Sequence, residues 1–194
     1  MPQTYFTADP HFGHENIIRL CKRPFRTIEE HDNELVARWN ARVSRSDTIY
    51  VVGDFAYRDD PERVLRRLNG QKHLVIGNHD KKATLRLPWA SPPRERIFLK
   101  LDGESIVLDH YGGRTWNGSF RGSFQFYGHS HGRLPGLGNS TDVGVDAWDF
   151  APATLAEIKA RIATQPPYNP EMPPDAEVEA GQNFEEEAST PRRP

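Results

Sequence analysis

Five short stretches of this chain carry side chains that can bind a metal ion or move a proton. They are Asp9-Pro10-His11, Gly53-Asp54, Gly77-Asn78-His79-Asp80, Asp109-His110 and Gly128-His129-Ser130-His131. Their donors are carboxylate and amide oxygens and imidazole nitrogens, with no thiolate among them. Such a set suits Mn²⁺, Fe²⁺ or Zn²⁺ rather than a soft-metal site. In Asp-x-His, two side chains on one loop can turn to the same side and chelate one ion. A carboxylate such as Asp54 has two oxygens and can hold two cations together. Two ions about 3.5–4 Å apart can clamp a phosphoryl group and supply hydroxide at neutral pH. The glycines before Asp54, Asn78 and His129 permit tight turns and close backbone approach. Asp-x-His or Gly-Asp alone is a weak signal. Gly-His-x-His and Gly-Asn-His-Asp are stronger, and the whole ordered set is strong.

The elements that must position these groups are legible around them. Strand-forming runs at 4–7, 48–52, 73–76, 105–108 and 124–127 each lead directly into one of the five stretches. A short helix is expected over Glu15–Leu20. A longer one starts at Thr27, where Thr27 and Glu30 have capping-box spacing and Leu35, Val36, Trp39 and Val43 recur at helical intervals. Asp60 caps a third helix, with Pro61 at its first position and Gly70 as its stop. A β-hairpin is expected from Ile97–Leu101 and Ser105–Leu108 about Asp102-Gly103. A weaker strand is expected around Val143–Trp148, and Thr154 with Glu157 opens a last helix. In α/β sheets functional groups gather outside the carboxyl ends of strands. Five such ends with this chemistry predict one shared site.

The ordered set resembles the calcineurin-like metallophosphoesterase superfamily. The opening FTADPHFGHENII, and GVDAWDFAP near residue 150, further resemble a small bacterial and phage subgroup of predicted phosphoesterases. The likeness runs from about Thr4 to about Phe150. It implies a four-layer αββα sandwich, two facing mixed sheets with helices outside. It also implies two divalent metal ions, Mn²⁺ foremost, with Fe, Zn and Ni as alternatives. Carried over by residue, one ion takes Asp9, His11, Asp54 and His131, and the other takes Asp54, Asn78, His110 and His129. His79 then faces the substrate as a catalytic residue. Asp80 either orients it or caps the following turn. The implied reaction is hydrolysis of a phosphate mono- or diester by a hydroxide that bridges the ions. One departure is Asp109, an acid before His110 where a small residue is expected.

Composition narrows the setting. Residues 165–194 hold seven acids against Arg192 and Arg193, and seven of the 16 prolines. This segment is read as a disordered Pro/Glu-rich tail following a phosphoesterase domain over residues 1–164. The tail carries −5 of a net charge of −2, which leaves +3 for the domain. That small charge disfavours a nucleic-acid partner and favours a nucleotide or other small phosphoester as substrate. No apolar run approaches the ~20 residues of a membrane span, and the N-terminus has no signal-peptide pattern. Cys21 is the single cysteine, which fits a reducing, cytoplasmic location. Two other readings stand beside the enzyme: a non-catalytic binding module on the same fold, and a nuclease for short single strands using aromatics such as Trp89 and Trp116. Arg114, Trp116 and Asn117 are candidates for a leaving-group pocket, and His14 and Asn16 for contacts to the ligands. His31 and His73 are read as solvent-facing, and Arg23 and Arg26 either as phosphate contacts or as surface charge.

Overall fold

Alternate residues of the first strands are buried on opposite sides, and this period of two decides the layering. The computed structural model describes residues 2–57 and 60–168. In chain order its elements are β1 (Thr4–Thr7), α1 (Glu15–Leu20), α2 (Ile28–Arg42), β2 (Thr48–Val52), α3 (Pro61–Arg67), β3 (Gln71–Val75), α4 (Lys82–Leu85), β4 (Arg96–Leu101), β5 (Glu104–Asp109), β6 (Phe124–Tyr127), β7 (Ser140–Asp142), β8 (Ala153–Thr154) and α5 (Leu155–Ile162). They form two mixed four-stranded sheets, ordered β3-β2-β1-β8 and β4-β5-β6-β7. β1, β2 and β3 are parallel, with Thr4 opposite Thr48 and Thr48 opposite Gln71, and β8 runs antiparallel to β1. In the second sheet β4 and β5 form the hairpin, while β5, β6 and β7 are parallel.

Tyr5, Ile49, Val51 and Leu74 belong to one core with Leu35, Val36 and Trp39 of α2 and Leu65 of α3. Their strand neighbours Phe6, Val52 and Val75 join a second core with Ile106, Leu108 and Phe126 of the other sheet and Ile158 of α5. Phe6 meets Phe126 edge-on at 5.0 Å between ring centroids, so the two sheets face each other. Each such fully buried side chain contributes about 1.5–3 kcal/mol. The expected αββα architecture, two mixed sheets flanked by helices, is therefore present.

Local signals set the ends of several elements. Thr27 Oγ1 accepts the Glu30 amide, Asp60 Oδ1 accepts the Arg63 amide, and Thr154 and Glu157 make a reciprocal capping box. The hairpin turn places Asp102 and Gly103 at positive φ, 51° and 83°, as its tight reversal requires. The strand expected over 143–148 is displaced: β7 ends at Asp142, and Val145–Ala147 is a 3₁₀ turn. Asp142 Oδ1 accepts the Gly144 amide at 2.6 Å and bends the chain there. α4 and β8 are too short to show a period, and the sequence does not signal them. Gln165 Nε2 donates to the Gly138 and Ser140 carbonyls, and Pro166 O accepts the Gly138 amide. The rest of the expected tail, residues 169–194, lies outside the described residues. Among the described residues no helix is long and apolar enough to cross a membrane.

Candidate dinuclear metal centre

The five loops at the strand ends are joined to one another by hydrogen bonds. The Asp9 amide donates to Gly53 O and the His11 amide to Asp54 O, both at 3.0 Å, and the Gly128 amide donates to His110 O. Carboxylates complete the mesh. Asp9 Oδ2 accepts the His129 amide, and Asp54 Oδ1 accepts the His79 amide. Asp80 accepts the amides of Asp54, Phe55 and Gly77. These approaches need glycine: a Cβ on Gly53 would strike His110 Nδ1, and one on Gly77 would strike Asp54 Oδ1.

Five candidate ligands, Asp9, His11, Asp54, His129 and His131, have left-handed backbone, with φ between 50° and 64°. Such strain costs on the order of 1 kcal/mol or more per residue. Five together approach the net stability of a small domain, so the mesh above must over-determine them. No sequence pattern announces this strain.

Two donor clusters result. Asp9, His11 and His131 present ligand atoms within 4.8 Å of one another, and so do Asp54, His110 and His129. Asp54 joins the clusters, since its Oδ2 lies 3.5 Å from Nε2 of both His11 and His110. Asn78 Oδ1 is 3.0 Å from His110 Nε2. The structure thus brings Asp9, His11, Asp54, Asn78, His110, His129 and His131 into one site. The His79 ring sits beside it, 5.3 Å from the His11 ring.

Electrostatics within the site are strongly perturbed. Burial pushes the Asp9 carboxyl up to about 8, against the pull of His131 and His110. Burial likewise drives His11 down to about 2, despite Asp54. Burial would also raise Asp54, but the hydrogen bond and charge of His110, with His11 and the His79 amide, hold it at about 2. His110 is lifted to about 9, Asp54 and Asp9 outweighing the effect of burial. His131 reaches about 10, chiefly because its bond to Asp146 outweighs burial. A divalent ion held by these residues would take the place of one proton on each of the two imidazoles.

A sequence profile of calcineurin-like phosphoesterases matches residues 3–139. The chain belongs to the calcineurin-like phosphoesterase family. Among its relatives, an uncharacterized protein of Methanocaldococcus jannaschii is 28% identical over 166 residues, covering 80% of this chain and 88% of that one. The gene 66 protein of Mycobacterium phage D29 is 28% identical over 200 residues, covering 84% of this chain and 96% of its own length. The crystal structure of a protein of unknown function from Aquifex aeolicus, AQ665, matches with a TM-score of 0.67 at 22% identity, over 84% of this chain and all of that one. That last likeness shows the shared fold.

The donor set of this family member fits metal ions on its own chemistry. Asp9 Oδ1 and both ring nitrogens of His11 are buried with no hydrogen-bond partner among the described residues. Buried polar atoms are ordinarily satisfied, and lone pairs left facing each other in a cluster of oxygen and imidazole donors suit a hard or borderline divalent cation. The two clusters form a candidate dinuclear site, and with the fold they are consistent with metal-dependent phosphoesterase activity.

The remaining candidates from the sequence divide. Asp109 turns away from the centre: its carboxylate binds Arg96 Nε at 2.7 Å and accepts the Tyr111 amide. Trp89 packs on Phe55 and donates to Thr84 O, and so belongs to the core. Arg114 and Trp116 line a cleft of about 220 Å³ with Gly112, Tyr127 and Leu134, adjoining the loop after His110. His14 stacks on Tyr57 at 3.9 Å, and both rings border His79. His31 corrects the expectation of solvent exposure and Arg23 that of surface charge, being 0% and 4% exposed. No role is assigned to Asp146 or Tyr111 by the sequence. Asp146 lies in the GVDAWDFAP stretch that carries the resemblance, so a signal is there, but no local pattern gives it a partner.

Proposed function

We propose that this chain is a metal-dependent phosphoesterase that hydrolyses a phosphate mono- or diester, with a nucleotide or another small phosphoester as its substrate. The observation that carries the reading is Asp54 Oδ2, placed 3.5 Å from the facing nitrogens of both donor clusters. In this reading Asp9, His11, Asp54 and His131 hold one ion and Asp54, Asn78, His110 and His129 hold the other. When bound, a pair of Mn²⁺ or similar ions neutralises charge on the phosphoryl oxygens and lowers the pKa of water to about 7, so that a nucleophile exists at neutral pH.

The chain's own groups do the rest. His110 Nδ1 donates to Val52 O at 3.0 Å, which leaves Nε2 to serve as the ligand atom. His79 is tethered through its amide to Asp54, and its partly buried ring stands ready to protonate the leaving oxygen or to stabilise charge on the phosphoryl group. Asp80 commits its carboxylate to three backbone amides, so its part is to hold the His79 loop against the Asp54 loop. Tyr111, 51% exposed, lies against His129 at 4.8 Å and brings its hydroxyl to 3.5 Å from Asn78 Oδ1. Its ring and the adjoining cleft give a small leaving group a surface to rest on. The domain's slight positive charge supports a small substrate over a nucleic acid. The lone cysteine supports a cytoplasmic setting.

Assay of the Mn²⁺-loaded protein against a phosphate monoester, a phosphodiester and a 2′,3′-cyclic nucleotide tests this. Turnover of at least one is expected. No turnover of any, with two ions bound, would replace the enzyme by a binding module. His79→Ala is expected to keep both ions and lose about 10²–10⁴-fold in rate. Loss of metal from that variant would overturn the role given to His79.

A further inference from the structure

We propose that Arg23 and Asp146 are positioning residues for one half of the centre only, the cluster Asp9, His11 and His131; the proposal rests on the metal-centre reading above. A guanidinium has five N–H donors in a fixed fork, and every one of Arg23's is placed. Nε donates to Asp146 Oδ1 at 2.8 Å and Nη2 to Asp146 Oδ2 at 2.7 Å. Nη2 also donates to Asp9 O at 2.7 Å and Nη1 to Pro10 O at 3.0 Å. The last bond, 2.7 Å long, joins Nη1 to His31 Nε2.

The permanent charge of Arg23 sets the direction of the whole chain. It cannot accept a proton, so His31 Nε2 is the acceptor and His31 Nδ1 carries the hydrogen. That hydrogen goes to Asp32 Oδ1 at 2.7 Å, and Asp32 in turn accepts the Gly13 amide at 3.0 Å. At the other end Asp146 Oδ2 accepts His131 Nδ1–H at 2.7 Å. That bond leaves His131 Nε2 as the atom available to an ion. A carboxylate behind a ligating histidine fixes its tautomer and ring orientation, and removing such a partner typically costs 10–100-fold in metal affinity.

A buried ion pair is a poor device for stability alone, because desolvation offsets much of the attraction. The targets of this one point to another use. Arg23 grips the carbonyls of Asp9 and Pro10, the strained stretch that carries two donors, and through Asp146 it aims the third. The opposite half is served differently, since His110 Nδ1 donates to the backbone at Val52. Cys21, His131 and Asp146 also lie within 4.8 Å of one another. Both Asp146 oxygens are already bound by Arg23, so this cluster is the backing of His131 and not a third ion site.

Arg23→Lys and Asp146→Asn, stripped of metal and titrated with Mn²⁺ by calorimetry, test the proposal. The wild type is expected to bind two ions. In each variant one ion should weaken 10–100-fold while the other keeps its Kd within about threefold. Equal weakening of both ions, or no change in either, would overturn it. A wild-type chain that binds no Mn²⁺ would overturn the metal-centre reading itself, and this proposal with it. A second measurement needs no variant: nitrogen-15 NMR of the Zn²⁺-loaded wild type should show His131 protonated at Nδ1 and metal-bound at Nε2. The opposite arrangement would sink the idea even if the variants fail to fold.

Discussion

The cluster of Asp9, His11 and His131 is backed by Arg23, Asp146 and the Asp9–His129 hydrogen bond, whereas the cluster of Asp54, His110 and His129 opens to solvent at His129 and Asn78. The buried half holds two orphaned donors, Asp9 and His11, in left-handed backbone. That arrangement is costly, and in the proposed reading a bound cation would offset it. The open half keeps an exposed amide and an exposed phenol beside its donors, where a substrate can approach. The contrast teaches that two chemically similar donor sets can be built with different exposure, one enclosed by buried partners and one open to solvent.

Asp54 tests whether the halves are one centre. Asp54→Ala should remove both ions and reduce turnover by at least about 10³-fold, as metal analysis and kinetics of the purified variant would show. Retention of two ions would separate the halves. Next in size, His129→Ala should lose the ion of the open half and about 10²-fold in turnover. The buried half should keep its ion, and a metal count of zero would break the asymmetry.

A pH series on the metal-free protein sharpens the comparison further. His110 and His131 are raised to about 9 and 10, and Asp9 to about 8. For each, the folded state holds its proton above the pH at which the unfolded chain releases it. Stability from the histidines is complete below about pH 6.5 and is lost as pH rises through 9–10. Asp9 adds a loss of the same sign up to about pH 8. The melting temperature should therefore fall between pH 6.5 and 10. With Mn²⁺ present that fall should shrink or reverse, because ions bind the deprotonated donors. Thermal melts with and without Mn²⁺ read both slopes.

The smallest effect is expected at Asp109, whose carboxylate faces Arg96 and not the centre. Asp109→Ser should leave two ions bound and turnover within about threefold, since its partner Arg96 is largely open to solvent and such pairs contribute little. A larger change would show that the open half reaches further than its ligands.

Much of this molecule follows from local rules. Strand runs that alternate between two cores, caps at Thr27, Asp60 and Thr154, and the Asp102-Gly103 turn are fixed by neighbours a few residues apart. The donors, too, stand at strand ends that any reader of the pattern would mark. What the pattern does not supply is partnership across distance. Arg23 meets Asp146 across 123 positions and buries itself among the carbonyls of another loop. His31 sits in a polar stretch of α2, yet it is turned inward to accept from Arg23. Along the chain Asp109 is only an acid beside His110; the hairpin brings Arg96 opposite it and gives its charge a partner.

Residue order alone determined which groups could coordinate and which elements would carry them, because periodicity, capping and turn geometry act over a few residues. Only the packed structure decided which of those groups share an oxygen, which are strained and which buried charge stands behind them. Those choices depend on how two sheets and their loops approach one another, and burial without water lets a pairing made at one place dictate a proton's position at another.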